Sequence, residues 1–152
     1  MTAQVSSPRT SSMDATQNEV QAEVRNHIGH LTLNRPAGLN AITLDMVRNL
    51  QRHLDAWALD PHIHAVVLRG AGEKAFCAGG DIRSLYDSFK NGDTLHEDFF
   101  VEEYALDLAI HHYRKPVLAL MDGFVLGGGM GLVQGADLRA VSYTHLTLPT
   151  KA

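Results

Sequence analysis

KPVLALMDGFVLGGGMGL, residues 115–132, reads as strand, turn and helix in direct succession. Pro116 opens Val117-Leu-Ala-Leu-Met121, a short apolar run without alternation, as a buried strand requires. Asp122-Gly123 turns the chain, and the glycines of Gly127–Gly131 lead into a helix expected over Leu132 to about Leu138.

The same succession lies upstream. His64 to Arg69 contains Ala-Val-Val-Leu, a second buried-strand signature, followed by the turn Gly70-Ala71-Gly72. The loop AFCAGGD, 75–81, comes next, and its Asp81 can cap a short helix through Phe89. After a break at Asn91-Gly92-Asp93, a longer helix is expected over Leu95 to Tyr113, with Phe100, Tyr104, Leu108 and His111 on one face. Toward the N-terminus, Val20 to Leu33 alternates like two short antiparallel strands about Asn26-His27, ending at Asn34-Arg35-Pro36. Thr43 can cap a helix carrying Met46, Val47, Leu50, Leu54, Trp57 and Ala58 at helical spacing, which Asp60-Pro61 stops. Strands alternating with helices in this way imply an α/β fold with parallel pairing. Residues 1–18, rich in Ser, Thr and Gln, read as a disordered tail.

Composition bounds the function. With 152 residues the chain has room for one domain. Apolar residues make up 45% and the net charge is −4, so neither wholesale disorder nor a nucleic-acid or anionic-membrane partner is implied. Cys77 stands alone and cannot form an internal disulfide, and the nine histidines show no metal-site spacing. No apolar run approaches the roughly 18 residues of a membrane span. The first 18 residues lack the apolar stretch of a signal peptide, so a cytoplasmic protein is expected.

AFCAGGD and LGGGMG each follow a buried strand and precede a helix. Glycine there admits unusual dihedrals and leaves main-chain N–H groups open to a ligand. Two such loops can direct two donors at one oxygen, which is how a thioester carbonyl is polarised. The plainer alternative is that both are tight strand-to-helix turns. A dinucleotide fingerprint is excluded: Gly127-x-Gly129 needs Gly or Ala at 132, where Leu132 stands, and no GxxxxGK[ST] run exists.

LNRPAGLNAIT (33–43), FCAGGDIR (76–83) and KPVLALMDGFVLGGGMGL (115–132) together resemble the enoyl-CoA hydratase/isomerase, or crotonase, superfamily, from about Val20 to Ala140. FFVEEYALDLAI (99–110) and Gln134-Gly135 resemble its 3-hydroxyisobutyryl-CoA hydrolase branch. Two-glutamate hydratases carry a glutamate two residues after GGG; Gly131 stands there, which favours thioester hydrolysis over hydration. The resemblance implies a crotonase-like spiral of β-β-α units, incomplete at the C-terminus, and a coenzyme A thioester substrate. It implies no metal or redox cofactor, since coenzyme A belongs to the substrate, and allows a homo-oligomer. Gly80 and Gly128 match the backbone oxyanion donors, and Glu103 the glutamate at the substrate. Leu39, Asn40, Ala41 and Ala78, with Gly79 and Asp81, match the substrate-binding rim.

Plainer roles compete for single residues. Adjacent Glu102 and Glu103 on a helix are ordinarily a solvated face. Asp81 reads as a helix cap, Cys77 as a small buried residue, and His111-His112 as a helix end. The resemblance stops near Ala140, and VSYTHLTLPTKA (141–152) reads as a translated sequencing adaptor joined to a fragment of the 19–140 domain. The segments expected to bring the acid/base carboxylates would then be missing. The rival readings are an enoyl-CoA hydratase or isomerase and a non-catalytic acyl-CoA-binding or oligomerisation module.

Overall fold

Asn26 and His27 both take positive φ, 49° and 65°. This is the pair of dihedrals that a two-residue hairpin turn needs to match the twist of its strands. The computed structural model, which describes residues 18–142, accordingly pairs Val20–Arg25 (β1) antiparallel with Ile28–Leu33 (β2). The expected tail over 1–18 and the segment 141–152 lie outside the described residues, apart from Asn18, Val141 and Ser142.

A short 3-10 turn at Pro36–Gly38 leads to Thr43, whose Oγ1 accepts from Met46 N at 3.2 Å and starts Leu44–Leu59 (α1). The helix buries Leu44, Met46, Val47, Leu50, Leu54 and Trp57. Each such side chain contributes about 1.5–3 kcal/mol on leaving water, so the stripe fixes the helix against the sheet.

Ala65–Gly70 (β3), Val117–Met121 (β5) and Leu138–Val141 (β7) extend the hairpin through parallel pairings, giving the order β1-β2-β3-β5-β7. Ala75–Cys77 (β4) and Phe124–Val125 (β6) form a second, two-stranded parallel sheet. Helices Ile82–Asn91 (α2) and Leu95–His111 (α3) follow β4, and Gly128–Gln134 (α4) follows β6. The first pass gives both of its strands to the large sheet before α1, and each of the next two gives one strand to the large sheet and one to the small sheet before turning into a helix. This is the spiral of β-β-α units the resemblance implies. α3 packs against α1, α2 and α4.

Two expectations are corrected. Residues 75–77, read as loop, are strand β4, because Phe124–Val125 supplies a partner. The last helix starts at Gly128 and ends at Gln134, and residues 138–141 are strand. Gly127 turns the chain (φ 49°), and its carbonyl and that of Leu126 accept the first helical bonds, so the glycines themselves are helical. Beyond Gly135, Asp137 exchanges bonds with Val117: its N–H donates to the Val117 carbonyl at 2.9 Å and its Oδ2 accepts from Val117 N at 2.8 Å. Sheet pairing there outweighs helix continuation. On α3, the face formed by Phe100, Tyr104, Leu108 and His111 is exposed, and the buried residues are Phe99, Glu103, Leu106 and Ile110.

Candidate functional site

The two glycine loops meet. Leu126 N–H donates to the Cys77 carbonyl at 3.0 Å, laying one loop beside the other. Gly79 (φ 105°) and Gly127 (φ 49°) occupy backbone that other residues rarely adopt. A Cβ on Gly79 would lie 3.4 Å from Leu126 O and 3.7 Å from Gly128 N, so main chain approaches main chain.

Gly80 bridges to Ile42: Ile42 N–H donates to Gly79 O and Asp81 N–H to Ile42 O, each at 2.8 Å. A parallel bridge of that pattern turns the N–H of Gly80 itself away from Ile42. Gly128 opens α4, where the first N–H groups have no acceptor within the helix. Among the described residues, no backbone carbonyl accepts from Gly80 N or Gly128 N. The two lie close, since a Cβ built on Gly128 would fall 3.6 Å from Gly80 N. α4 has only 7 residues, so these are individual donors rather than the end of a strong macrodipole.

α3 brings two carboxyl groups to the same place. Glu103 is 6% exposed, and burial pushes its carboxyl above the ordinary carboxylate range. A Cβ on Gly128 would meet Glu103 Oε1 and lie 3.3 Å from its carboxyl carbon. Glu102, its neighbour in sequence, is the solvated one. Arg48 donates to both of its oxygens, at 2.8 and 2.7 Å, and that hydrogen-bonded guanidinium holds its carboxyl below the usual range. One turn after Glu103, Asp107 was not expected at the site. Burial first and the Glu103 charge second push its carboxyl up to about 7. The signal was available, because residues four apart share a helix face.

Gly79, Gly80, Gly128, Glu103 and Asp107, with Ala78, border one cleft of about 860 Å³. The exposed face of α3 lines it too, through Phe100, Tyr104 and Leu108. The other rim residues lie elsewhere. Asn40 (φ 54°) is fully buried: its Oδ1 accepts from Arg35 N at 2.8 Å, and its Nδ2 donates to Ala71 O and Ala75 O at 2.9 Å. Its side chain ties loops together and does not reach the cleft. Leu39 and Ala41 are half-buried; the Leu39 carbonyl accepts from Ala78 N and the Ala41 carbonyl from Arg35 Nη1. Asp81 faces a neighbouring cleft, where it accepts from Ser84 and pairs with Arg35 at 3.2 Å, as a capping residue does. Arg35, which also pairs with Glu19 at 3.1 Å, organises this segment and was not singled out from sequence.

Cys77 is fully buried, and desolvation pushes its thiol up to about 11. Among the described residues there is no group of three or more His, Cys, Asp or Glu able to hold a metal, and no helix long and apolar enough to cross a membrane.

A spiral of β-β-α units with two glycine loops converging on a cleft defines the class, and comparison with known proteins agrees. The family model described as enoyl-CoA hydratase/isomerase matches residues 28–149. The chain belongs to the enoyl-CoA hydratase/isomerase family. It is 50% identical over 118 residues to a Xenopus tropicalis protein named 3-hydroxyisobutyryl-CoA hydrolase, mitochondrial, covering 78% of this chain and 31% of that protein. The Rattus norvegicus protein of the same name is 49% identical over 128 residues, covering 84% and 33%. Among solved structures, a carnitinyl-CoA dehydratase from Mycobacterium thermoresistibile superposes with a TM-score of 0.79 at 40% identity, covering 82% of this chain and 36% of the other. The chain therefore spans about a third of the length of the relatives it matches.

Proposed function

We propose that this chain is the N-terminal part of an acyl-CoA thioester hydrolase acting on 3-hydroxyisobutyryl-CoA, in the breakdown of valine. The observation that carries the reading is the convergence of Gly80 N–H and Gly128 N–H beside the buried Glu103. In this mechanism both N–H groups donate to the thioester oxygen, most strongly as it becomes an oxyanion. Removing one such donor typically costs about 2.7–4 kcal/mol of transition-state stabilisation. Either water adds to the carbonyl carbon and the carbon–sulfur bond breaks, or a carboxylate of the longer protein displaces the sulfur and water then hydrolyses the resulting acyl-enzyme; on both routes the coenzyme A sulfur leaves with a proton. Glu103 lies against the bound acyl group, and carboxylates from later segments of the longer protein move the protons. The mechanism as proposed calls on no metal or redox group, and coenzyme A arrives as part of the substrate.

The names of the curated relatives support hydrolysis, and Gly131, which has no side chain to move a proton, counts against hydration. The dehydratase-like structure favours the second reading, an enoyl-CoA hydratase or isomerase. Release of free thiol against loss of the conjugated enoyl absorbance separates the two. A non-catalytic acyl-CoA-binding module is the third reading, and it predicts saturable binding without turnover even in the longer protein.

Exposed Phe89, Phe100, Val101, Tyr104, Leu126 and Met130 support the inference that further chain covers this surface. Acid/base groups typically supply 10²–10⁴-fold each, so the 152-residue chain is expected to be inactive and to aggregate; robust thioester turnover by this chain alone would overturn that inference. Long-read sequencing across the codons for Arg139 to Ser142 tests the junction itself. The compartment is part of the proposal: cytoplasmic on the sequence reading, whereas the relatives are mitochondrial by name. A homo-oligomer of the longer protein is proposed on the resemblance alone, and sedimentation of that protein tests it.

A further inference from the structure

Position 131 has no side chain, yet the space beside it is filled. A Cβ built on Gly131 would lie 2.9 Å from the Asp107 carboxyl carbon and 3.1 Å from its Oδ1. The carboxyl beside the α4 backbone thus comes from α3. Its Oδ1 is buried and has no hydrogen-bond partner among the described residues. Buried acceptors are normally paired, and because Asp107 borders the cleft, a donor on a ligand can complete this carboxyl once the side chain turns toward it.

We infer that Asp107 is a specificity residue of the acyl pocket, its carboxyl holding a hydroxyl on the β-carbon of the acyl chain. The inference rests on the thioester reading above and adds the residue that recognises the substituent. Gly131 lies three residues beyond Gly128 on α4, about 4.5 Å of helix rise. That is the reach of a β-carbon substituent when the carbonyl oxygen sits at Gly128 N–H. Leu85, Phe99, Phe100, Leu108 and Met130 make much of the surrounding wall apolar, and Gln134 on α4 borders it as an uncharged polar group. A short apolar chain carrying one hydroxyl near Asp107 complements it. A hydroxyl both donates and accepts, so it can meet either protonation state of the carboxyl. The titratable groups bordering this part of the cleft are Glu103, Tyr104 and His111 from α3. α4 contributes none, and Cys77 lies behind it on β4.

The test compares kcat/KM for 3-hydroxyisobutyryl-CoA and isobutyryl-CoA in the longer protein, for the parent, Asp107→Asn and Asp107→Leu. Asp107→Leu is expected to narrow the preference for the hydroxylated ester by at least about tenfold, the low end for one lost hydrogen bond to a charged group. Asp107→Asn, which keeps a hydrogen-bonding group of the same shape, is expected to retain most of it. A preference unmoved by Asp107→Leu overturns the inference, as does one that Asp107→Asn abolishes while Asp107→Leu preserves it. A parallel arm measures binding of the two ketone analogues in which a methylene replaces the thioester sulfur. Hydrolysis of both esters with an unmoved preference leaves the hydrolase reading standing and removes Asp107. Absent hydrolysis with an Asp107-dependent preference between the ketones removes the hydrolase reading and leaves Asp107 in place.

Discussion

The carboxyl of Glu103 occupies the space that a side chain at Gly128 would need. Two elements far apart in sequence, α3 and the start of α4, are thereby fitted to each other at the two groups proposed to touch the substrate. In the longer protein, Gly128→Ala is expected to push Glu103 aside or shift the loop away from Gly80 N. A displacement of that size at a positioned group costs about 10²-fold in kcat/KM. Steady-state thiol release measures it, with thermal unfolding as the control for folding. Unchanged turnover would show that neither group acts at the acyl carbon.

Asn40 separates a structural role from a ligand role. Its three hydrogen bonds join the segment at Arg35 to the carbonyls of Ala71 and Ala75, and its φ of 54° suits asparagine better than most residues. Asn40→Ala would leave buried groups unpaired, at about 2–3 kcal/mol in total. Denaturant unfolding is expected to show that loss. A variant of unchanged stability with weakened coenzyme A ester binding would return Asn40 to the ligand.

The elements that were legible in the sequence are those whose signal is local. The Thr43 and Asp81 caps, the Asn26-His27 hairpin and the apolar run at Val117–Met121 each announce themselves within a few residues. β4 and β6 did not, because strands of three and two residues exist only through each other. The end of α4 is hidden for the same reason: Leu138–Val141 is strand because β5 lies alongside it, a pairing invisible in the window itself. At the site, the glycines were legible as permissive backbone, but their convergence follows from β4 and β6 lying side by side. For Asn40 and Asp81 the motif points to a ligand, while their hydrogen-bond partners are groups of this chain. Asp107 on its own is not legible in the sequence, because a lone aspartate on an amphipathic helix is usually solvated and only the packing of α4 buries it.

Asp107 also makes stability depend on pH in a defined direction. Its carboxyl keeps its proton to about 7 in the folded chain, against an ordinary value of 3.8. Between those values the folded state holds a proton that the unfolded state has released, so stability falls as pH rises through the window. Glu103, also raised, acts in the same sense. Asp107→Asn cannot ionise and is expected to lose less stability than the parent between pH 4 and 7. Thermal melts across that range, parent against variant, check it; parallel curves would place the Asp107 carboxyl in water.

Cys77 reports whether α4 is seated. Its thiol is fully buried and pushed up to about 11 by desolvation, with the Glu103 charge adding to the shift. The cover is Gly129, where an added Cβ would fall 2.9 Å from the Cys77 Cβ and 3.1 Å from its Sγ. Because the thiolate is the reactive form, a folded chain at pH 8 should react with a disulfide reagent roughly 10²-fold or more slowly than the same chain in denaturant. A labelling rate that climbs with pH toward 11 would mean the thiol reacts in place, limited by its ionisation. A slow rate that is flat with pH would mean α4 must first lift off β4, and would measure how often it does. Fast labelling of folded protein at pH 8 would mean that α4 does not close over β4, and the meeting of Gly80 and Gly128 would fail with it.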